Sequence, residues 1–182
     1  MQGYDALDDT QLARLAKDDH DAFDVLYRRH VTSVYRYCYA RTDSVVDAED
    51  LTTQTFLAVL EAIGRYRERG SFSAWLFGIA RRKCADFYRA RYADRSDPVA
   101  YIEAIMDKGA DDPEESLMRA AVLDCVARML AQLSPDRREA LHFRYWGDLS
   151  MRDVATVMQR SEGAVKMLVS RAISDLRERC VK

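Results

Sequence analysis

Apolar residues recur three and four positions apart along nearly the whole chain, and no stretch shows the alternation expected of a strand. The spacing predicts helices near residues 10–18, 20–41, 45–63, 72–92, 115–132, 135–145, 151–158 and 162–179. Only three prolines, Pro98, Pro113 and Pro135, interrupt the pattern, so the expected fold class is all-α. Gly64 to Ser71 breaks the first group of helices. Ala93 to Pro113 holds two of the prolines, Gly109 and many acids, which marks a connector. The expected organisation is therefore two small helical domains, residues 1–92 and 115–182, joined by an acidic linker over 93–114. Within that linker Val99 to Met106 is apolar enough for a short helix or for packing on a partner.

The end of the chain carries start and stop signals at short intervals. Ser134 followed by Pro135 reads as an N-cap with proline at the first helical position, and Gly147 follows the last apolar residue as a stop. Ser150 with Asp153 reads as a capping box for 151–158, and after a three-residue turn Ser161 caps a last helix beginning at Glu162. Two helices across a tight turn form a helix-turn-helix. Its second helix has an apolar stripe of Val165, Leu168, Val169, Ala172 and Leu176. The opposite face carries Gly163, Lys166, Met167, Ser170, Arg171 and Ser174, small or polar or cationic and free of acids. That composition suits approach to the major groove, although an amphipathic helix with a basic solvent face reads the same way.

Charge sharpens the picture because the net value of −2 hides an alternation. Residues 42–62 carry five acids and no Lys or Arg, 65–95 are net +6, 96–115 are net −6 and 137–182 are net +4. Two basic blocks flank an acidic one, the pattern of a polyanion contacted at two places. The aromatic residues Phe72, Trp75, Phe77, Phe87, Tyr88 and Tyr92 lie in the first basic block. Faces of that kind can stack unpaired bases at roughly 1 to 3 kcal/mol each. Helical spacing assigns Trp75, Ile79 and Phe87 mainly to packing and leaves Phe72, at the loop edge, as the candidate for DNA.

Other chemistry finds no support. No phosphate-binding loop, HExxH or dinucleotide glycine pattern occurs, and His20, His30 and His142 are isolated, so neither catalytic residues nor a cofactor is expected. Cys38, Cys84, Cys125 and Cys180 have no zinc-site spacing, which leaves no metal site and predicts free thiols. No stretch approaches the roughly 18 apolar residues that span a bilayer, so a cytoplasmic protein without membrane insertion is expected.

From Asp47 to Arg91 the sequence runs D-A-E-D-L-T-T-Q-T-F-L-A-V-L-E-A-I, a short basic loop, then F-S-A-W-L-F-G-I-A-R-R-K-C-A-D-F-Y-R-A-R. The acidic helix resembles region 2.2 of the sigma-70 family, the loop and next helix resemble regions 2.3 and 2.4, and Leu133 to Arg179 resembles region 4. With no room for a folded region 3, the chain resembles the extracytoplasmic-function (ECF) group of sigma factors. The resemblance implies a subunit that binds core RNA polymerase and directs initiation from −35 and −10 promoter elements.

By this resemblance Asp47, Asp50, Leu51 and Gln54 dock on the clamp of the largest polymerase subunit, and region 4 meets the flap of the second largest. Arg67, Arg69, Ser71 and Phe72 match the loop that captures a flipped −10 base, with Arg81, Arg82 and Lys83 on the helix behind it. Ser161, Glu162, Lys166, Met167, Ser170 and Arg171 match the reader of the −35 element. The implied partners are core polymerase, promoter DNA and an anti-sigma factor, the last able to hold an otherwise nucleoid-associated protein at the membrane. Departures occur too: Thr53-Gln54 replaces Gln-Glu, Arg82 replaces an Asn, Gln159 replaces the glycine of the helix-turn-helix turn, and Leu168 stands where relatives carry Arg. A stand-alone helix-turn-helix regulator would explain the C-terminus equally well, but would leave the acidic 47–50 patch and the aromatic-basic 72–92 helix without a role.

Overall fold

The computed structural model describes residues 4–91 and 113–180, with side chains of the second stretch from residue 122 onward. The expected linker, including 99–106, lies outside the described residues. All regular structure among the described residues is helical.

Four helices form the N-terminal group: α1 (Asp9–Leu15), α2 (His20–Thr42), α3 (Val45–Ala62) and α4 (Phe72–Arg91). Each start has a local cause. Asp8 and Gln11 exchange side-chain and backbone hydrogen bonds in a capping box, the Asp19 carboxylate accepts from the Asp21 and Ala22 amides, and the Ser44 hydroxyl accepts from Asp47. At α4 the Ser71 hydroxyl accepts from the Ala74 amide at 3.0 Å. Asp43 ends α2 in the left-handed conformation, φ 54°, and turns the chain directly into α3.

The C-terminal group comprises α5 (Pro113–Gln132), α6 (Pro135–Leu141), α7 (Met151–Met158) and α8 (Glu162–Cys180). The helix expected over 135–145 is α-helical only to Leu141; His142–Trp146 widens into a π-helical turn, and the Gly147 amide donates to the His142 carbonyl. Ser134 makes no side-chain capping bond, leaving Pro135 at the first turn as the start signal.

The cysteine expectation is corrected for two of four residues. Cys125 and Cys180 form a disulfide that ties α5 to the end of α8, whereas Cys38 and Cys84 remain free and buried. Their separation of 55 residues in sequence hides a pairing that only the antiparallel packing of α5 on α8 creates.

The two groups do not stand apart. Leu12, Leu26, Leu51 and Leu76 of the first and Leu130, Leu141, Leu149 and Val165 of the second belong to one continuous buried core. At the junction Tyr37 of α2 stacks on Phe143 of the π-turn with ring centroids 4.8 Å apart, and Phe77 of α4 meets Tyr37 edge-on at 5.6 Å. All three rings are fully buried. Gly147 lets the turn approach this closely, since a Cβ there would sit 2.8 Å from the Phe77 ring and 2.9 Å from the Phe143 carbonyl oxygen.

Candidate nucleic-acid interface

The α7–turn–α8 unit presents the first candidate surface. The Ser150 hydroxyl accepts from the Asp153 amide at 3.1 Å and the Ser161 hydroxyl accepts from the Ala164 amide at 3.2 Å, so both helices start at capped serines. Between them Gln159 adopts the left-handed conformation, φ 55°, so the turn keeps the shape that glycine takes without steric cost. Val165, Val169 and Ala172 are buried and Leu168 packs partly against the core. Ser161, Glu162, Lys166, Met167, Ser170 and Arg171 are all exposed on the other side, Met167 with half its surface in solvent. Glu162 and Lys166 pair across one turn at 2.6 Å, and the lysine holds the glutamate carboxyl below its usual range.

The second candidate surface is the loop before α4 with α4 itself. Arg67 and Arg69 are exposed on either side of Glu68, which is engaged by Arg14 of α1. Gly70, at φ 120°, turns the loop back toward α4. A cavity of about 320 Å³ opens here, lined by Arg65, Tyr66, Arg69, Ser71 and Trp75 together with Thr156 of α7. Trp75 is half-buried and faces this cavity, while Phe72 is only 1% exposed and packs against Tyr66 and His30. The expectation that Phe72 is exposed at the loop edge is therefore corrected: its ring belongs to the core, and Trp75 is the aromatic that lines the cavity. Because Phe72 opens α4, its first turn points inward. Sequence spacing beside a glycine loop did not fix that phase.

Farther along α4, Arg82 is exposed and Lys83 half-buried. Arg81 is taken up by the C-terminal group. Its Nε donates to Glu139 Oε1 at 3.0 Å, one Nη donates to Glu139 Oε2 at 2.8 Å, and the other donates to the Val157 carbonyl at 3.2 Å. The Ser71 hydroxyl donates in the same way to Asp153 of α7.

The third surface is the outer side of α3. Asp50 is exposed, and its carboxylate accepts from the Gln54 amide at 2.7 Å. Asp47 is partly covered and pairs with Arg91 of α4 at 2.9 Å. Leu51 is 2% exposed and sits in the core, so it is corrected from a surface contact to a packing residue. The side chains that share the exposed stripe with Asp50 are Val46, Thr53, Leu57 and Leu60 at helical spacing. Their apolar members escaped sequence reading because a Leu in an amphipathic helix is assigned to the core by default.

Comparison with known proteins places these surfaces in a family. The family models for sigma-70 region 2 and sigma-70 region 4 match residues 26–93 and 123–176, in that order. The ECF RNA polymerase sigma factor SigD of Mycobacterium tuberculosis is 31% identical over 180 residues, covering 95% of this chain and 84% of SigD. The chain belongs to the ECF sigma factors of the sigma-70 family. Another relative, the ECF RNA polymerase sigma factor BldN of Streptomyces coelicolor, is 36% identical over 167 residues; the match covers 90% of this chain and 62% of BldN. The solved structure of the sigma factor RpoE in complex with the anti-sigma factor NepR from Bartonella quintana shares the fold, with a TM-score of 0.66, 23% identity and coverage of 86% of this chain and 94% of RpoE. In this sigma factor α2–α4 make up region 2 and α5–α8 contain region 4. Among its described residues no helix is long and apolar enough to cross a membrane.

Proposed function

We propose that this sigma factor docks on core RNA polymerase through the outer side of α3, reads a −10 element with the loop and α4, and reads a −35 element with α8. Asp50 and Gln54 offer acceptors to a basic clamp of the largest subunit, and Val46, Leu57 and Leu60 add an apolar contact around them. Arg67, Arg69, Arg82 and Lys83 supply phosphate contacts, and Trp75 beside the loop cavity is the platform for an unstacked base. The observation that carries the reading is the open face of α8, where Lys166, Met167, Ser170 and Arg171 stand in solvent behind a capped helix-turn-helix.

Residues 1–92 and 115–182 are the two functional domains in this reading, joined by a linker over 93–114. Region 4 also meets the flap of the second-largest subunit. The protein catalyses no reaction itself and works with the cytoplasmic polymerase, under an anti-sigma factor like the one bound to RpoE. Run-off transcription with core polymerase on a random promoter library tests this. Promoter-specific transcripts that require both proteins are expected, and Asp50→Arg should reduce core binding while leaving thermal stability nearly unchanged. An operator shift by a dimer, without polymerase, would instead favour a stand-alone regulator.

A further inference from the structure

The loop before α4 divides its side chains between two sides. Arg65, Tyr66, Arg67, Arg69, Gly70 and Ser71 all line the loop cavity, and Glu68 does not. Its carboxylate turns the other way, to α1, where Arg14 engages it with two nitrogens, Nε on Oε1 and one Nη on Oε2. The arginine holds the Glu68 carboxyl below its usual range, and Lys17 just beyond α1 adds positive charge. A carboxylate among four cations is a cost in a loop that meets a polyanion, since attraction to phosphates alone would be stronger without it. Its role is therefore sought in what it holds.

The two sides of this contact differ in firmness. In α1, Leu12 and Ala13 have no exposed surface, and Asp9 pairs with Arg29 at 2.9 Å and with His30 at 2.6 Å. The Arg29 guanidinium also donates to the Leu7 and Asp5 carbonyls, which fixes the approach to the helix. In the loop, Tyr66 is buried against Phe72 and Trp75, but residues 67–69 are exposed, and Gly70 at φ 120° follows them. The Arg14–Glu68 fork thus ties the exposed stretch to an anchored helix 54 residues away in sequence. An exposed ion pair adds little to stability, with 60% of the arginine side chain in solvent here. A bidentate fork does fix orientation, and a loop already ordered gives up less freedom when it binds.

We infer that Arg14 is a positioning residue for −10 recognition: through Glu68, α1 braces the loop so that Arg67 and Arg69 stay on the cavity side, where a base and its phosphates are met. Arg14 neither lines the cavity nor lies within the residues matched to region 2. The inference rests on the assignment of the loop to the −10 element, and the test separates the two.

Transcription by core polymerase with the full chain, on promoter libraries randomised over the −10 and −35 elements, gives the base preference at each position. Arg14→Gln and Glu68→Gln are each expected to flatten the −10 preference by about threefold to fivefold, the upper range for one exposed ion pair. The −35 preference, affinity for core and thermal denaturation should stay unchanged, and the charge-swapped R14E/E68R should restore the −10 preference. Glu68→Gln gives the sharpest discrimination, because loss of a negative charge beside DNA would by electrostatics alone strengthen binding. A −10 preference that Glu68→Gln leaves intact or improves, a swap that restores nothing, or a loss spread equally over both elements overturns the brace. Arg67→Ala and Arg69→Ala are the controls. If they alter the −10 preference and Arg14→Gln does not, the brace alone falls; if they leave it untouched, the assignment of the loop falls and the brace with it.

Discussion

The helices α4 and α8 carry similar cargo: each is amphipathic, ends in arginines and displays cationic side chains in the positions where DNA contacts are expected. Their surroundings differ. On α8, Lys166 and Arg171 project into solvent, and the buried positions Val165, Val169 and Ala172 keep one consistent phase. On α4, Arg81 is held by Glu139, and Phe77 is locked against Tyr37 and Phe143. Composition alone would rank the two helices as equal readers. Availability separates them, because α4 lies at the junction of the two groups and α8 lies on its outside.

The largest test of this contrast removes the ring that joins the groups. Phe143→Ala should cost about 3–5 kcal/mol, the usual range for a fully buried aromatic. Thermal denaturation should pass from one cooperative transition toward two. A single unchanged transition would mean that the junction contributes little to stability.

The next test acts on the α8 side alone. Cys125→Ser should lower the stability of the C-terminal group by about 2–4 kcal/mol, since the cross-link closes a loop of 55 residues. Amide exchange should accelerate in α5 and α8 and stay unchanged in α2 and α3; an equal loss across both groups would contradict that confinement.

A direct comparison of the two helices follows. In the free protein Arg171→Ala should weaken duplex DNA binding by about 1–3 kcal/mol if it reads a base edge. Arg81→Ala removes a guanidinium already spent on Glu139 and the Val157 carbonyl, and should leave duplex binding nearly unchanged. Filter binding over a salt series measures both, and equal losses would erase the distinction.

The smallest effect concerns pH. His142 is fully buried in the π-turn, and burial, with Arg41 and Arg138 nearby, lowers its pKa from 6.5 to about 3. The folded state therefore requires the neutral ring. Its contribution is complete above about pH 6.5 and is lost progressively as pH falls toward 3. One pH unit below the ordinary value, at pH 5.5, the loss should be about 1.4 kcal/mol. Denaturant titrations at pH 7.5 and 5.5 measure it, and His142→Gln should flatten the difference; a slope that persists in that variant would assign it elsewhere.

Much of this protein is determined by local physics and was legible in the sequence. Helical periodicity defines the all-α class, the serine caps at 150 and 161 place the helix-turn-helix, and a single apolar stripe sets which side of α8 faces out. These depend on neighbours a few residues away. Tertiary structure alone decided the rest. Phe72 and Leu51 went to the core because the packing of α2, α3 and α4 buries them, although each sits beside residues that stay exposed. Cys125 found Cys180, and Arg81 found Glu139, across 55 and 58 residues. No periodicity encodes such pairs. They follow from how two amphipathic groups close on each other, and closure depends on the fit of Tyr37, Phe77, Phe143 and Gly147, which no local pattern specifies.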